Sequence, residues 1–212
     1  MNSLAFLGAG GHASSSLALA REVFGSAQVS GYVSLNASTQ EEFSSSKFFT
    51  ELSEFKKLAA NSFLVNGLGL SPGLTARTEL FVDLISDGFT APNLISARAN
   101  LWSTLGVDLG IQVFPGAFIG NSAEISPNAV IGVNAIVEHD TSLGEGCFVG
   151  PGAILLGGVR VGPNSLIGAG ATILPGVKLG SGITVGAGAV ITDDVKDGET
   201  RIGVPGKSHR RG

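Results

Sequence analysis

A histidine between two acidic residues makes one short stretch, AIVEHDTSLG, a candidate for acid–base chemistry. His139 lies between Glu138 and Asp140, and it is one of three histidines in the chain. A neighbouring carboxylate can accept a hydrogen bond from one imidazole nitrogen, which fixes the tautomer and makes the other nitrogen more basic. His139 could therefore act as a general base, could bind a metal ion, or could belong to an ordinary polar pair at the surface.

The residues around His139 follow a period of six, and no position of this series is polar. A small or aliphatic residue stands two places before most of these positions, so that both side chains face the same side of a short strand. Such a hexapeptide period is typical of a parallel β-helix, in which these residues fill the interior. We expect roughly five coils. The aliphatic series is Leu101, Val107, Val113, Ile119, Ile125, Ile131, Val137, Leu143, Val149, Leu155, Val161, Ile167, Ile173, Leu179, Val185 and Ile191.

The turns between these strands are filled by residues such as Pro151-Gly152 and Pro163-Asn164, which are turn formers. Inside the array, His139-Asp140 is the pair that departs from this chemistry, and a corner residue points away from the filled interior. The departure favours a general base over a tolerated surface pair. A zinc site of the kind known in some β-helices needs three converging histidines, and the other two lie outside the array, so no metal site is expected.

The first hundred residues follow a different pattern. Short apolar strands at LAFL, QVSGYV and SFLVNGLG alternate with helical segments at SSSLALAREVFG, TELSEFKKLAA and LTARTELFVDLISDGF. The first helix is expected to have a capping serine and a closing glycine, and the polar segment at 36–49 to be a surface loop. This alternation predicts a small Rossmann-like parallel sheet with helices on both faces. We expect an α/β domain over residues 1–95 and an all-β helix with a C-terminal tail over residues 96–212.

The Gly-rich segment GAGGHA, from Gly8 to Ala13, follows the first strand and precedes a helix. Main-chain N–H groups at such a place can hold a phosphate. A plain dinucleotide fingerprint is disfavoured, because Ala13 stands where the third glycine would be and no acidic residue ends the second strand. His12 could contact a ligand or simply cap the helix.

Composition excludes several classes of protein. Charged residues make up 14% of the chain and the net charge is −4, which argues against nucleic acid as the main partner. No apolar run reaches the roughly 18 to 20 residues of a membrane span, and the first residues lack the features of a secretory signal. The single cysteine, Cys147, is expected to be a buried small hydrophobe. We expect a cytoplasmic protein.

Together, the motifs GAGGHA, VEHDTSLGEG, VGPGAILLGGVRVG and IGAGATILPGVKLG resemble the bacterial sugar O- and N-acyltransferases. That family includes nucleotide-activated 4-amino-sugar N-acetyltransferases and sialic acid O-acetyltransferases. The resemblance spans nearly the whole chain, and it implies a left-handed parallel β-helix, acetyl-CoA as co-substrate, and a homotrimer with active sites between adjacent β-helices. It also implies that His139 is the catalytic base and that Asp140 raises the pKa of that base.

The same resemblance assigns the remaining site residues. The loop residues Gly10, Gly11 and His12, with Gly67 nearby, would hold the sugar nucleotide. The main-chain amides of Ala169 and Ala187 would bind the CoA arm.

Two departures from the family pattern concern ligand binding. A second histidine that meets the acetyl group in many relatives is Phe148 here, so that oxyanion stabilisation must come from main-chain amides or another group. A pair of aspartates that helps to hold the nucleotide is replaced by Ser34 and Leu35.

These features predict N-acetylation of a UDP- or GDP-linked 4-amino sugar by acetyl-CoA, in the assembly of surface glycans. The first alternative is O-acetylation of a sugar of the sialic acid type. An alternative of another class is a non-catalytic trimer that binds sugar nucleotides.

Overall fold

A computed structural model describes residues 2–34, 41–69 and 74–209. A small parallel α/β unit precedes a long array of two-residue parallel strands stacked in register. The predicted order of a Rossmann-like α/β domain and a parallel β-helix is therefore confirmed.

The N-terminal sheet contains four parallel strands in the order β3-β2-β1-β4. The helices lie on opposite faces of this sheet. Leu4 and Phe6 of β1 pack on the side of α1, whereas Ala5 and Leu7 pack with α2 and α3. Helices on both faces are thus confirmed. The elements are β1 (Asn2–Leu7), α1 (Gly11–Phe24), β2 (Ala27–Val33), a 3-10 turn (Glu41–Phe43), β3 (Lys47–Phe49), α2 (Leu52–Lys56), β4 (Phe63–Asn66) and α3 (Thr75–Ser86).

Three details of this domain differ from expectation. Helix α1 begins at Gly11 with Gly10 as its N-cap and without a side-chain cap, so the predicted capping serine is wrong, although Gly25 closes the helix. Helix α2 is shorter than predicted. The segment expected to be a loop contains β3, and Phe43 within it is fully buried, since the sheet gains an edge strand here.

The β-helix consists of three parallel sheets, which we call sheets I, II and III. Up to Ile191, paired strands lie 18 residues apart, as Val130 and Phe148 do. Sheet I contains β5 (Leu94–Ile95), β7 (Gln112–Val113), β10 (Val130–Ile131), β13 (Phe148–Val149), β16 (Leu166–Ile167), β19 (Thr184–Val185), β21 (Thr200–Ile202) and the antiparallel β22 (Lys207–Ser208). Sheet II contains β6 (Asn100–Leu101), β8 (Phe118–Ile119), β11 (Ile136–Val137), β14 (Ile154–Leu155), β17 (Thr172–Ile173) and β20 (Val190–Ile191). Sheet III contains β9 (Glu124–Ile125), β12 (Ser142–Leu143), β15 (Arg160–Val161) and β18 (Lys178–Leu179).

The interior follows the hexapeptide pattern. The aliphatic residues from Val113 to Ile191 and the apolar residues two places before them form one continuous buried cluster. Val107 is wrong as an interior residue, because it is 81% exposed. In the described residues no strand of sheet III precedes β9, so the first coil has no third side to bury Val107.

The turn positions explain the choice of residues at the corners. From Gly116 to Gly188, the second residue of each turn has a positive φ, which Gly, Asn and Asp adopt most readily. Asp140 takes this slot with φ 57°, as Asn128 does with φ 60°. The expectation that His139-Asp140 gives up turn chemistry therefore needs correction, since Asp140 still fills a turn slot.

The two domains pack through sheet I. The outward side chains of Val130 and Phe148 join an apolar cluster with Leu17 of α1 and Phe114. Leu94–Ile95, at the end of the predicted first domain, is a strand of sheet I, because it pairs with Gln112–Val113. The division of the chain into residues 1–95 and 96–212 stays a prediction.

Candidate active site

His139 and Asp140 lie at the corner between sheet II and sheet III, which we call the II–III corner. The main chain of this corner is fixed by both neighbouring coils, because the Asp140 N–H donates to the Asn121 carbonyl (3.0 Å) and the His139 carbonyl accepts from the Gly158 N–H (2.9 Å). Both side chains extend outward and are more than half exposed, at 62% and 66%. A rigid corner thus presents two adjacent polar side chains to whatever lies outside.

The two side chains form a hydrogen-bonded pair. His139 Nδ1 lies 2.8 Å from Asp140 Oδ2. This hydrogen bond, followed by the charges of Asp140 and Glu138, raises the pKa of His139 above its usual value. Since Nδ1 is engaged with the carboxylate, Nε2 is the nitrogen that can take up a proton.

The Gly-rich loop lies at the carboxyl edge of the N-terminal sheet. The first turn of the 14-residue helix α1 begins there. An added Cβ on Gly10 or Gly11 would meet no atom of the described residues within 4 Å. The free N–H groups of a helix N-terminus favour an anion. This loop could therefore hold a phosphate group.

Gly67 follows β4 and Ser34 follows β2, the two strands that flank β1, at the same edge of the sheet. A Cβ on Gly67 would lie 2.6 Å from the Cβ of Ala13, so Gly67 allows α1 to pack closely on β4. Ser34 is half-buried directly after β2. Leu35 lies outside the described residues.

His12 faces inward. Among the described residues its buried Nε2 atom has no hydrogen-bond partner, and its ring lies 5.3 Å from the ring of Phe148 and 6.0 Å from that of Phe114. Burial, and secondarily the charge of Arg77, lowers the pKa of His12 to about 3. His12 is consequently a neutral side chain at physiological pH.

Phe148 belongs to the interface between the two domains. Its side chain is 7% exposed on sheet I, in the apolar cluster with Leu17 and Val130. The structure thus places Phe148 beside His12 and the Gly-rich loop.

Ala169 and Ala187 are exposed one coil apart at the corner between sheets I and II, which we call the I–II corner. Within the described ranges, neither residue's main-chain N–H has a hydrogen-bond partner. Both are therefore able to donate outward. The I–II corner and the II–III corner that carries His139 lie at opposite edges of sheet II. One protomer does not bring these two sets of residues together.

A groove beside Asp140 was not anticipated from the sequence. It lies on sheet III, between outward-facing side chains of successive coils, and its charged members are two acidic residues and one arginine. Its lining residues are Ser122, Glu124, Asp140, Thr141, Ser142 and Arg160. The six-residue period contained the signal, since Glu124, Ser142 and Arg160 each precede an aliphatic residue of the series and must face outward.

A buried polar network between the domains was also missed. Asn66 at the end of β4 donates from Nδ2 to Asn128 Oδ1 (3.0 Å), and its carbonyl accepts from Gln112 Nε2 (2.8 Å). Arg77 of α3 donates from Nη1 to the Asn128 carbonyl (3.0 Å) and from Nε to the Leu68 carbonyl (3.2 Å). The network ties the end of β4, near the Gly-rich loop, to the β-helix.

Two kinds of feature are absent from the described parts of the chain. No group of three or more His, Cys, Asp or Glu side chains there is arranged to hold a metal ion. None of the helices described is both long and apolar enough to cross a membrane.

Comparison with known proteins gives one sequence family. The family described as bacterial transferase hexapeptide (six repeats) matches residues 122–157, 140–174 and 158–193. No curated protein sequence matches the chain significantly.

Solved structures match over nearly the whole chain. PerB from Caulobacter crescentus, crystallised with CoA and GDP-perosamine, is 29% identical with a TM-score of 0.86, and the match covers 99% of this chain and 98% of PerB. The acetyltransferase domain of PglB from Neisseria gonorrhoeae FA1090 is 29% identical with a TM-score of 0.84, covering 99% of this chain and 100% of that domain. WeeI from Acinetobacter baumannii AYE, at 19% identity and a TM-score of 0.62 over 99% of this chain and 100% of WeeI, shares the fold.

Proposed function

Because the chain belongs to the hexapeptide-repeat acyltransferase superfamily, we propose that it transfers an acetyl group from acetyl-CoA to the amino group of a nucleotide-linked 4-amino sugar. The observation that carries the proposal is the hydrogen-bonded pair of His139 and Asp140 on an exposed corner. The relatives support the substrate classes, since PerB was crystallised with CoA and GDP-perosamine and the PglB domain with acetyl coenzyme A. Variants of the Caulobacter enzyme in which one histidine is replaced by alanine or asparagine were crystallised with the same two ligands.

His139 acts as the general base in this proposal. A free sugar amine is mostly protonated at neutral pH, so its nitrogen can attack only after a proton has been removed. His139 Nε2 takes that proton as the nitrogen forms a bond to the thioester carbonyl carbon. The carbon–sulfur bond then breaks, the sulfur of CoA leaves with the electron pair and takes up the second proton of the sugar nitrogen as the thiol, and the amide remains on the sugar while His139 releases the first proton to solvent. Asp140 holds the ring and stabilises the imidazolium that forms.

The Gly-rich loop binds the nucleotide end of the acceptor. Gly10 and Gly11 at the start of α1 offer N–H groups to the diphosphate, and Gly67 lies at the same edge of the sheet. Ser34 and Leu35, which follow β2 in the sequence, contact the nucleotide. The ring of His12 packs against that of Phe148 beside the Gly-rich loop. The nucleotide is of the UDP or GDP type. The enzyme acts in the cytoplasm, and its product is used in the assembly of surface glycans.

The complete site requires more than one protomer. Ala169 and Ala187, which we propose as donors to the CoA arm, lie on a different corner from His139. The outward row of sheet II between these corners contains the half-buried apolar side chains of Phe118, Ile136 and Ile154. We therefore propose a homotrimer in which the I–II corner of one protomer faces the II–III corner of the next.

Turnover assays test the proposal. The protein is incubated with acetyl-CoA and a panel of UDP-, GDP- and dTDP-linked amino sugars or sialic acids, while thiol release and product mass are measured. We expect thiol release and an added acetyl group with an amino sugar. Turnover with a sialic acid alone would establish O-acetylation instead.

The His139→Ala variant separates an enzyme from a binding protein. It should lose transfer by about 10²- to 10⁴-fold, the usual contribution of a general base, and should still bind acetyl-CoA in calorimetry. Binding of nucleotide sugars by the wild type without any transfer would favour the non-catalytic alternative.

A further inference from the structure

The imidazole of His139 lies against the main chain of Gly157, which stands one coil further along the same corner. A Cβ on Gly157 would lie 2.5 Å from His139 Nε2 and 2.6 Å from Cε1. No real Cβ contact is so short, so the ring occupies the space that any side chain at residue 157 would need. The ring is thereby held on two sides, by Asp140 at Nδ1 and by the Gly157 backbone at the opposite edge.

The backbone conformation does not explain this glycine. Gly157 is the first residue of its turn and lacks a positive φ, whereas Gly158 after it has a φ of 72°. The same first slot holds Ala169 and Ala187 in later turns. A methyl group is therefore compatible with the slot itself, and His139 is the obstacle at residue 157.

We infer that Gly157 is a positioning residue, whose missing side chain creates the seat that keeps the His139 ring on Asp140. The inference rests on the proposed function for its effect on turnover. Because the ring is the movable end of a side chain, an added methyl group would displace it about χ1 and χ2 and leave the backbone in place. The displaced ring loses its hydrogen bond to Asp140, and Nε2 moves away from the attacking nitrogen.

The Gly157→Ala variant tests this directly. We expect kcat to fall by on the order of 10²-fold, as for a displacement of about 1 Å in a reacting group, with the KM for acetyl-CoA and the melting temperature unchanged. The pKa of His139, followed by NMR of the imidazole, should move down because the hydrogen bond to Asp140 is lost. This titration needs no substrate, so it tests the inference even if the proposed acetyl transfer fails.

Two control variants separate positioning from folding. Ser181→Ala leaves only a methyl group in the equivalent slot of an exposed turn and should match the wild type in every measurement, which would show that this slot accepts a methyl group where no ring lies against it. In the His139→Ala background, Gly157→Ala should change neither stability nor residual activity, because the ring is gone.

Each outcome decides the question. A folded Gly157→Ala variant with wild-type kcat and wild-type imidazole titration would overturn the inference. If Gly157→Ala fails to fold, recovery of folding in the His139→Ala/Gly157→Ala double variant supports the ring as the obstacle. Failure of both variants would place the clash in the backbone and reject the seat.

Discussion

His139 Nδ1 lies 2.8 Å from Asp140 Oδ2, within a turn whose second residue has a positive φ. Few residue types satisfy both requirements, because the slot favours Gly, Asn or Asp and the imidazole needs a carboxylate. Aspartate is the one of these three that carries a charge. The same residue consequently shapes the corner and raises the pKa of the base beside it.

Asp140→Asn should separate these two roles. Asparagine fits the turn, as Asn128, Asn134 and Asn164 do in the same slot, so the melting temperature should stay at the wild-type value. The pKa of His139 should fall because the charged hydrogen-bond acceptor is lost, and the weaker base should lower kcat by on the order of 10- to 100-fold.

The pH profile of kcat/KM checks this prediction. A general base must be unprotonated, so wild-type activity should be lost as the pH falls through the raised pKa of His139. In Asp140→Asn this acidic limb should move to lower pH. An acidic limb that stays at the wild-type position would show that Asp140 does not set the pKa of the base.

The β-helix could be predicted from the sequence because its rule is local. Every sixth residue must be apolar to fill the interior, and the rule holds from Val113 to Ile191. It fails at Val107, where burial depends on a third side that the first coil lacks. Strand β3 was missed for a related reason, since Lys47–Phe49 is a short edge strand beside a serine-rich segment.

In the candidate site too, local sequence predicted the contacts between near neighbours but not those between distant segments. His139 and Asp140 are neighbours in sequence, so their pairing could be predicted from residue types alone. The contact between Arg77 and Asn128 spans 51 residues and depends on how the two domains dock, which no local pattern encodes. Gly157 lies between these cases, because the 18-residue register would place it beside His139 once the coil length is known.

Gln112→Leu should destabilise the interface between the domains. Gln112 Nε2 donates to the buried carbonyl of Asn66, and Oε1 accepts from Ser16 Oγ. Leucine fits the column, since Leu166 and Val130 stand at the same register, but it leaves the Asn66 carbonyl unpaired. We expect a loss of about 1–3 kcal/mol in the free energy of unfolding, measured as a lower urea midpoint at an unchanged m-value.

Thr184→Leu is the matched control for that experiment. Thr184 lies in the same column of sheet I, where Leu166 pairs with it, and is half-buried outside the apolar cluster between the domains. It should unfold close to the wild-type midpoint. A Gln112→Leu variant as stable as the wild type would show that the hydrogen bond to Asn66 adds nothing to the docking of the domains.

His12 should make the fold sensitive to acid. Its pKa falls from 6.5 to about 3 on folding because of burial, so the unfolded chain binds the proton more readily. Stability from this residue is therefore fully present above about pH 6.5 and is lost as the pH falls toward 3. The difference in unfolding free energy between the wild type and His12→Phe should shift in favour of the variant across that window. A difference that stays constant with pH would contradict a buried neutral His12.

Mixing two inactive variants should restore activity if the site is shared between protomers. His139→Ala removes the base from every site, and Ala169→Trp fills the exposed slot of the I–II corner, so each homotrimer should be inactive. A mixed trimer contains interfaces at which an intact His139 from one protomer faces an intact Ala169 from the next. Random assembly of equal amounts should give about a quarter of the wild-type sites, measured as kcat per protomer after joint refolding or co-expression. If the mixture stays as inactive as its components, His139 and Ala169 serve the same protomer or do not share a site.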